Sequence, residues 1–380
     1  MSASRKYKQL LAQHLKAEER DIFLYWKGRV ALFTILKAAN IGKGDEVILP
    51  AFTCVVVPNA IIYLGATPIY VDIDKQSLNA EPQAIFNKVT SKTKAIICQN
   101  TFGLSTGVKE ISEYGRKNNI LTIEDCTHGF GGEFQNQPNG SYCDAAFFST
   151  QWNKPFSTGI GGFAYVRSPV LKASIQQINQ SLIDPTIKDV KVLALLVFIK
   201  NNLLTPSTYW VMRSVYRWLS KNNLIIGSSS GKEITGLEYP VDYFKGSSTV
   251  QAKIGSEQIA KILPVLAKRK KSAELYTDLL MKYDKWHVEK KFFKDHSFLK
   301  YPILVKNRDL FMSLGEQSSI ELGDWFCSPL HPVMENLDRW GLDVNKTPVA
   351  KEISACIVNL PTEHDEGVIK FLKNNLAQIL

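Results

Sequence analysis

Between residues 45 and 166 the chain alternates short apolar runs with amphipathic stretches. The runs are Asp45–Pro50, Pro68–Asp72, Ala95–Cys98, Leu121–Asp125, Ala145–Ser149 and Gly162–Val166. Each is β-prone and nearly continuous in apolar character, the pattern of strands buried on both faces of a mostly parallel sheet. The stretches between them, Val55–Tyr63, Glu81–Lys88 and Lys109–Lys117, carry helical spacing. This rhythm predicts an α/β domain with helices covering the sheet. Ligands of such sheets bind outside the carboxyl ends of the strands. Two of the runs end there on polar residues, Asp125 and Ser149.

After residue 185 the pattern changes. Residues 185–232 hold seven Lys/Arg and one Asp, together with the apolar run Val192–Ile199 and the aromatic residues Tyr209, Trp210, Tyr216 and Trp218. Ser228–Gly231 reads as a loop. A long helical segment is expected over 250–283, then strands at Phe298–Val305, Gln317–Leu322 and Ile357–Leu360, and a helix near Glu366–Gln378. The expected division is a large domain over 1–249, with a basic, apolar insertion at about 188–221, and a small α+β domain over 250–380.

Length and composition fit this division. The chain has 380 residues, 45% hydrophobic and 22% charged, which excludes a disordered chain and allows a sizeable core. The net charge of +10 favours anionic partners such as phosphates, nucleotides or an acidic membrane surface. No nucleic-acid-binding motif accompanies it, so a nucleic-acid partner is not expected. The six cysteines are scattered, without zinc spacing, so no metal site is expected and the thiols read as reduced. The polar N-terminus lacks the apolar core of a signal peptide, which points to the cytoplasm.

Candidate chemistry gathers at Ser149-Thr-Gln-Trp-Asn-Lys-Pro-Phe-Ser-Thr-Gly-Ile-Gly-Gly162, where Lys154 lies between a strand-terminal serine and a glycine-rich turn. Glycines let the backbone approach a bulky ligand. A lysine with a deprotonated amine can form a Schiff base with an aldehyde cofactor. Alone, a lysine before a glycine-rich turn is usually a solvated loop residue, and the signal is weak. In Ile123-Glu-Asp-Cys-Thr-His-Gly129, Asp125 could keep the pyridine nitrogen of pyridoxal 5′-phosphate (PLP) protonated, so that the ring acts as an electron sink. It could equally cap the next helix. His128 could hydrogen-bond the ring oxygen. Gly28, Arg29 and Val30 open a helical segment whose N-terminal N–H groups suit a phosphate.

In order, Gly28-Arg-Val-Ala-Leu32, Gly42-Lys-Gly-Asp-Glu-Val-Ile-Leu-Pro50, Gly65-Ala-Thr-Pro-Ile-Tyr-Val-Asp-Ile-Asp74, Ile123–Gly129 and the Lys154 loop resemble the DegT/StrS-type sugar aminotransferases, PLP enzymes of fold type I. The resemblance is dense over 27–166, thins afterwards and returns at Pro329-Leu-His-Pro332 and Asn359-Leu-Pro361. It implies Lys154 as Schiff-base lysine and proton shuttle, and Asp125 as partner of the pyridine nitrogen. It places His128 near the ring oxygen, Gly28, Arg29 and Ser149 in the phosphate cup, and His331 near the substrate. It also implies a homodimer.

Three positions depart from the family pattern. Cys54 stands beside the cofactor where the family often has a stacking aromatic, with Phe52 a nearby substitute. Arg29 replaces a Thr or Ser of the phosphate cup. Phe244 replaces a cross-subunit Asn ahead of a helix over 248–258.

The expected function is transfer of an amino group from an amino acid, glutamate in the leading case, to a keto-sugar on a nucleotide or lipid carrier. This would serve polysaccharide or glycolipid synthesis. Two alternatives are a PLP-dependent sugar dehydratase, in which resembling proteins carry histidine in place of the lysine, and a non-catalytic membrane-associated protein on the same scaffold. The insertion contains Lys200, Asn201, Asn202 and Pro206, which argue against a membrane span. Its apolar side and its basic residues Lys188, Lys191, Lys200, Arg213, Arg217 and Lys221 suit peripheral contact with anionic headgroups on the cytoplasmic face.

Overall fold

The computed structural model describes residues 1–203, 231–363 and 366–380. The strands, in chain order, are β1 Ile22–Tyr25, β2 Glu46–Pro50, β3 Thr53–Cys54, β4 Thr67–Val71, β5 Thr93–Gln99, β6 Leu121–Asp125, β7 Glu133–Phe134, β8 Gln137–Pro138, β9 Ala145–Ser149, β10 Gly162–Val166, β11 Tyr301–Leu304, β12 Leu330–His331 and β13 Ile357–Leu360. Seven form one sheet in the order β1-β10-β9-β6-β5-β2-β4. The pairs β2/β4, β2/β5, β5/β6 and β6/β9 are parallel, while β10 and β1 add an antiparallel edge. The expected mostly parallel sheet is present, and the apolar runs account for its parallel part.

The register sets the site. Asp125 lies opposite Phe147 and Gln99, and Gly162 lies opposite both Ser149 and Tyr25. Asp125 and Ser149, at the ends of parallel strands, therefore emerge on the same edge. The helices of the first part are α1 Ala3–Leu15, α2 Gly28–Ala38, α3 Val56–Ile62, α4 Pro82–Phe86, α5 Val108–Asn118, α6 Pro169–Ile178 and α7 Ile187–Asn202. The main core joins α2, buried along nearly its whole length, to the sheet. A separate core of Tyr276, Phe298, Tyr301, Phe311 and Phe371 gathers residues of the C-terminal part.

Two expectations change, and one strand forms that the sequence did not mark. The long helical segment over 250–283 is two helices, Thr249–Ile259 and Ile262–Lys282. Pro264 in the first turn of the second has no N–H to continue the ladder from the preceding turn, so the chain breaks at Ala260–Lys261. Gln317–Leu322 is not a strand. Gln317 ends the helix Arg308–Gln317, and Ser319 takes a positive φ of 56° that turns the chain. Edge strand β1, too short to read in the sequence, forms because β10 offers it an antiparallel partner.

The insertion is described only in part. Residues 204–230, including Arg213, Arg217, Lys221 and most of the Ser228–Gly231 loop, lie outside the described residues. Its neck is closed: Ile183 N–H donates to the Phe244 carbonyl at 2.9 Å, Gly246 N–H donates to the Ile183 carbonyl at 2.9 Å, and Lys245 Nζ reaches Asp189 at 2.9 Å. On α7, Leu193 and Val197 pack inward against Trp26 and Ile160. Leu195 and Phe198, each 57% exposed, face outward. Lys200, expected at a headgroup edge, instead places its Nζ over the Trp152 ring, 5.3 Å from the centroid.

Candidate active site

Strand β9 ends at Ser149, and the Lys154 loop doubles back to β10. The loop is pinned by Thr150 N–H to the Gly161 carbonyl at 2.9 Å and Thr158 N–H to the Thr150 carbonyl at 2.8 Å. Lys154 is half-buried, and its Nζ sits 4.5 Å from the centre of the Trp325 ring. Burial pushes its amine down to about 8. The charges of Cys54 and Asp125 oppose that shift and Arg29 adds to it. An amine with that value is deprotonated far more often near neutrality than an ordinary lysine, as a nucleophile toward an aldehyde must be.

Asp125 is 3% exposed, and its Oδ1 accepts the Thr127 N–H at 3.0 Å. Burial pushes its carboxyl up, while Thr127 and the Lys154 charge pull the other way. A buried carboxylate of this kind gains from a cationic partner. His128, also buried, accepts the Phe102 N–H at Nδ1 at 3.2 Å. Burial, then the Lys154 charge, hold it well below the usual histidine range. It is therefore a neutral ring whose proton sits on Nε2, leaving that nitrogen as a donor.

Gly28 opens α2 directly behind Ser149. A Cβ built on Gly28 would lie 2.8 Å from the Phe148 carbonyl oxygen and 3.0 Å from Ser149 Cβ, so a glycine is required for α2 to approach β9. The N-cap residue Lys27 gives the first turn no side-chain cap. Arg29 is buried and ion-paired with Glu233. Burial works against its charge, but Glu233 holds its pKa above the ordinary value. Val30 is a core residue, 1% exposed, so only its backbone is available to a ligand.

Cys54 and His331 lie opposite each other in the two-stranded β3/β12 pair. Burial raises the Cys54 thiol, and Arg29 and Lys154 act against that rise. His331 Nδ1 is 3.2 Å from Cys327 Sγ, and burial pushes its imidazole down to about 4. Phe52 does not offer a free ring face: it is fully buried, edge-on to Phe326 at 5.0 Å. Phe244 packs in its own chain against Phe33 at 5.9 Å, with Lys37 Nζ 5.5 Å from its ring centre.

Sequence reasoning brought Gly28, Arg29, Cys54, Asp125, His128, Ser149, Lys154 and His331 into one region. It missed Trp325 and Glu233. The signal for Trp325 was the Gly323-Asp-Trp-Phe run leading into Pro329-Leu-His331. Nothing local marked Glu233.

A family model described as the DegT/DnrJ/EryC1/StrS aminotransferase family matches residues 5–190 and 247–366. The chain belongs to this family. Between the two matched stretches lie residues 191–246, which coincide with most of the basic insertion and contain Glu233. Among similar proteins is a GDP-perosamine synthase of Escherichia coli O157:H7, 39% identical over 144 residues, which are 38% of this chain and 40% of that protein. The alignment thus spans about two fifths of the length of that curated relative. Among solved structures, the aminotransferase TlmJ from Streptoalloteichus hindustanus has a TM-score of 0.76 at 20% identity, over 99% of this chain and 91% of its own. NtdA from Bacillus subtilis, with bound cofactor PMP, has a TM-score of 0.73 at 20% identity, over 100% of this chain and 78% of its own. These likenesses establish the fold of the DegT/DnrJ/EryC1/StrS aminotransferases across the described chain. Their cofactor is PLP. The chemistry of the donor set fits it: an amine with a lowered pKa, a buried carboxylate, a neutral imidazole and a glycine cradle at a helix N-terminus.

Proposed function

We propose that this chain is a PLP-dependent aminotransferase that moves an amino group from an amino acid, glutamate in the leading case, to a keto-sugar. The observation that carries the reading is that Asp125 and Ser149 end neighbouring parallel strands, with the Lys154 loop following directly from Ser149. When bound, PLP supplies an electron sink that lets an amine pass from one carbon to another. Lys154 would hold the cofactor through its amine, and its free amine would move a proton between substrate carbon and nitrogen. Asp125 holds the pyridine nitrogen in its charged form. His128 donates from Nε2 to the ring oxygen. The backbone of Gly28, Arg29 and Val30, with Ser149, receives the phosphate. Cys54 lies beside the ring, and His331 stands on the substrate side.

The likeness to a GDP-perosamine synthase supports a nucleotide-linked sugar. The basic insertion supports a lipid-linked one, and product use in cell-surface polysaccharide or glycolipid synthesis suits both. Lys154 itself disfavours the dehydratase reading. The chain divides into a large unit over 1–249 and a small one over 250–380, and it works as a homodimer in the cytoplasm. Outward-facing Leu195 and Phe198, beside Lys188 and Lys191, support peripheral contact with an anionic membrane surface. Among the described residues no helix is long and apolar enough to cross a membrane.

The purified protein should show the visible absorption of lysine-bound PLP, lost in Lys154→Ala, and glutamate should bleach it. A preparation that takes up no PLP sinks the proposal. Asp125→Asn should retain the colour and lose about 10²–10⁴-fold in turnover.

A further inference from the structure

Among the described residues, Trp325 presents an aromatic face to the amine of Lys154. Its ring centre is 4.5 Å from Lys154 Nζ, and its plane lies 6° from that of His128 at a centroid distance of 4.8 Å. The other rings of the region are committed elsewhere. Phe52 is edge-on to Phe326 and fully buried. Phe102 and Phe326 stack on each other at 5.9 Å. Cys54 has no ring.

The backbone of Trp325 is held rigidly. Its N–H donates to Asn359 Oδ1 at 3.0 Å, and its carbonyl accepts from Asn359 Nδ2 at 2.6 Å. Asn359 is fully buried at the end of β13, and its backbone exchanges both hydrogen bonds with Gly323 at 2.8 and 3.0 Å. A Cβ on Gly323 would press on Asn359 Oδ1 at 3.0 Å, so the 323–325 segment is fitted to that side chain. The indole is thus presented by a clamp and not by a free loop.

We infer that Trp325 is a cofactor-binding residue, whose indole face packs against the pyridine ring carried by Lys154. The inference rests on the PLP reading above. The Lys154 Nζ lies over the indole face, a cation over a π system. A flat aromatic ring borne by that nitrogen would find the indole face beside it as a stacking surface, since Nζ lies 4.5 Å from the indole centre. His128, parallel to the indole, fixes the tilt at which the ring is received.

The test is titration of the cofactor-free protein with PLP, followed by visible absorption and by the visible circular dichroism of the bound ring. Trp325→Ala should weaken PLP binding about tenfold and diminish the dichroic band. Trp325→Phe should stay within about threefold of the unchanged protein and keep the band, a rescue that a purely space-filling role would not give selectively. Trp325→Leu supplies similar bulk without a π face and should behave as the alanine variant; it carries the test if Trp325→Ala does not fold. Equal affinity in the unchanged protein, Trp325→Ala and Trp325→Leu overturns the inference and leaves the PLP reading standing. An unchanged protein that shows no PLP band overturns both.

Discussion

Glu233 is ion-paired with Arg29 in the interior, the two side chains 4% and 6% exposed. They are separated by 204 residues in sequence. Arg29 stands in the first turn of α2, where the cofactor phosphate is expected. Glu233 lies in the stretch outside the family match. Asn59 ties the two regions together: its Nδ2 donates to the Glu233 carbonyl at 2.8 Å, and its Oδ1 accepts from Trp340 Nε1 at 2.7 Å. The stretch between the two matched parts of the chain thus supplies the countercharge for the residue by which this chain departs from its family's phosphate cup.

Removing one member of a buried pair leaves an uncompensated charge, at a cost of about 3–5 kcal/mol. Glu233→Gln should lose stability on that scale in urea unfolding. The double variant Arg29→Leu/Glu233→Leu should recover most of it, because no charge is then left buried. A Glu233→Gln variant as stable as the unchanged protein would mean that the pair does not hold the segment around Glu233 to the core.

Lys154 predicts a pH dependence. Its amine is pushed down to about 8 from the ordinary 10.5. PLP capture by the cofactor-free protein needs the neutral amine, so its rate should rise about tenfold per pH step below 8 and level off above it. An ordinary lysine would keep rising to about 10.5. Stopped-flow absorbance between pH 6 and pH 10, spanning about two units on either side of the amine's value, distinguishes the two. The same shift bears on stability. Between about 8 and 10.5 the unfolded chain holds a proton at this lysine that the folded chain does not, so this group makes the cofactor-free protein more stable as pH rises through that window. Lys154→Met should remove the effect.

The parallel strands were legible because strands buried on both faces are written as continuous apolar runs. β2, β4, β5, β6 and β9 lie where those runs lie. Asp125 and Ser149 were legible because they end strands at the edge where ligands of such sheets bind, although Asp125 could equally have capped a helix. What the sequence hid depends on pairings distant in the chain. β1 exists through β10, Glu233 acquires a role only beside Arg29, and Trp325 reaches Lys154 only because Asn359 holds its backbone. Phe52 looked free to stack in the sequence, but Phe326 closes on it from 274 positions away.

Gly28→Ala tests the phosphate cradle. The added methyl would meet a backbone carbonyl at 2.8 Å, which a rotamer change cannot relieve. α2 must then move from β9, separating its first turn from Ser149. The expected cost is about 1–3 kcal/mol of stability in urea unfolding. PLP affinity should fall at least about tenfold by absorption titration, because the helix N-terminus and the serine no longer converge on one phosphate. An alanine variant with unchanged PLP affinity would place the phosphate elsewhere.

The outward face of α7 predicts membrane behaviour separable from the fold. Leu193 and Val197 face the protein, where a Cβ on Gly159 would lie 2.7 and 2.9 Å from them, so this side of the helix supports the turn after Lys154. Leu195 and Phe198, three residues apart and both 57% exposed, share the opposite side. Leu195→Glu/Phe198→Glu should therefore leave PLP binding and the unfolding midpoint nearly unchanged. Co-sedimentation with vesicles rich in phosphatidylserine should fall at least about tenfold, since two apolar contacts become two like charges at an anionic surface. Deleting residues 190–220 removes Lys191, Lys200, Arg213 and Arg217 with no acidic residue. It should abolish sedimentation, at some cost in stability from the loss of Leu193. Binding of the unchanged protein should weaken steeply with added salt. Equal sedimentation of the unchanged protein, the double variant and the deletion would assign the apolar face of α7 to contact with protein instead.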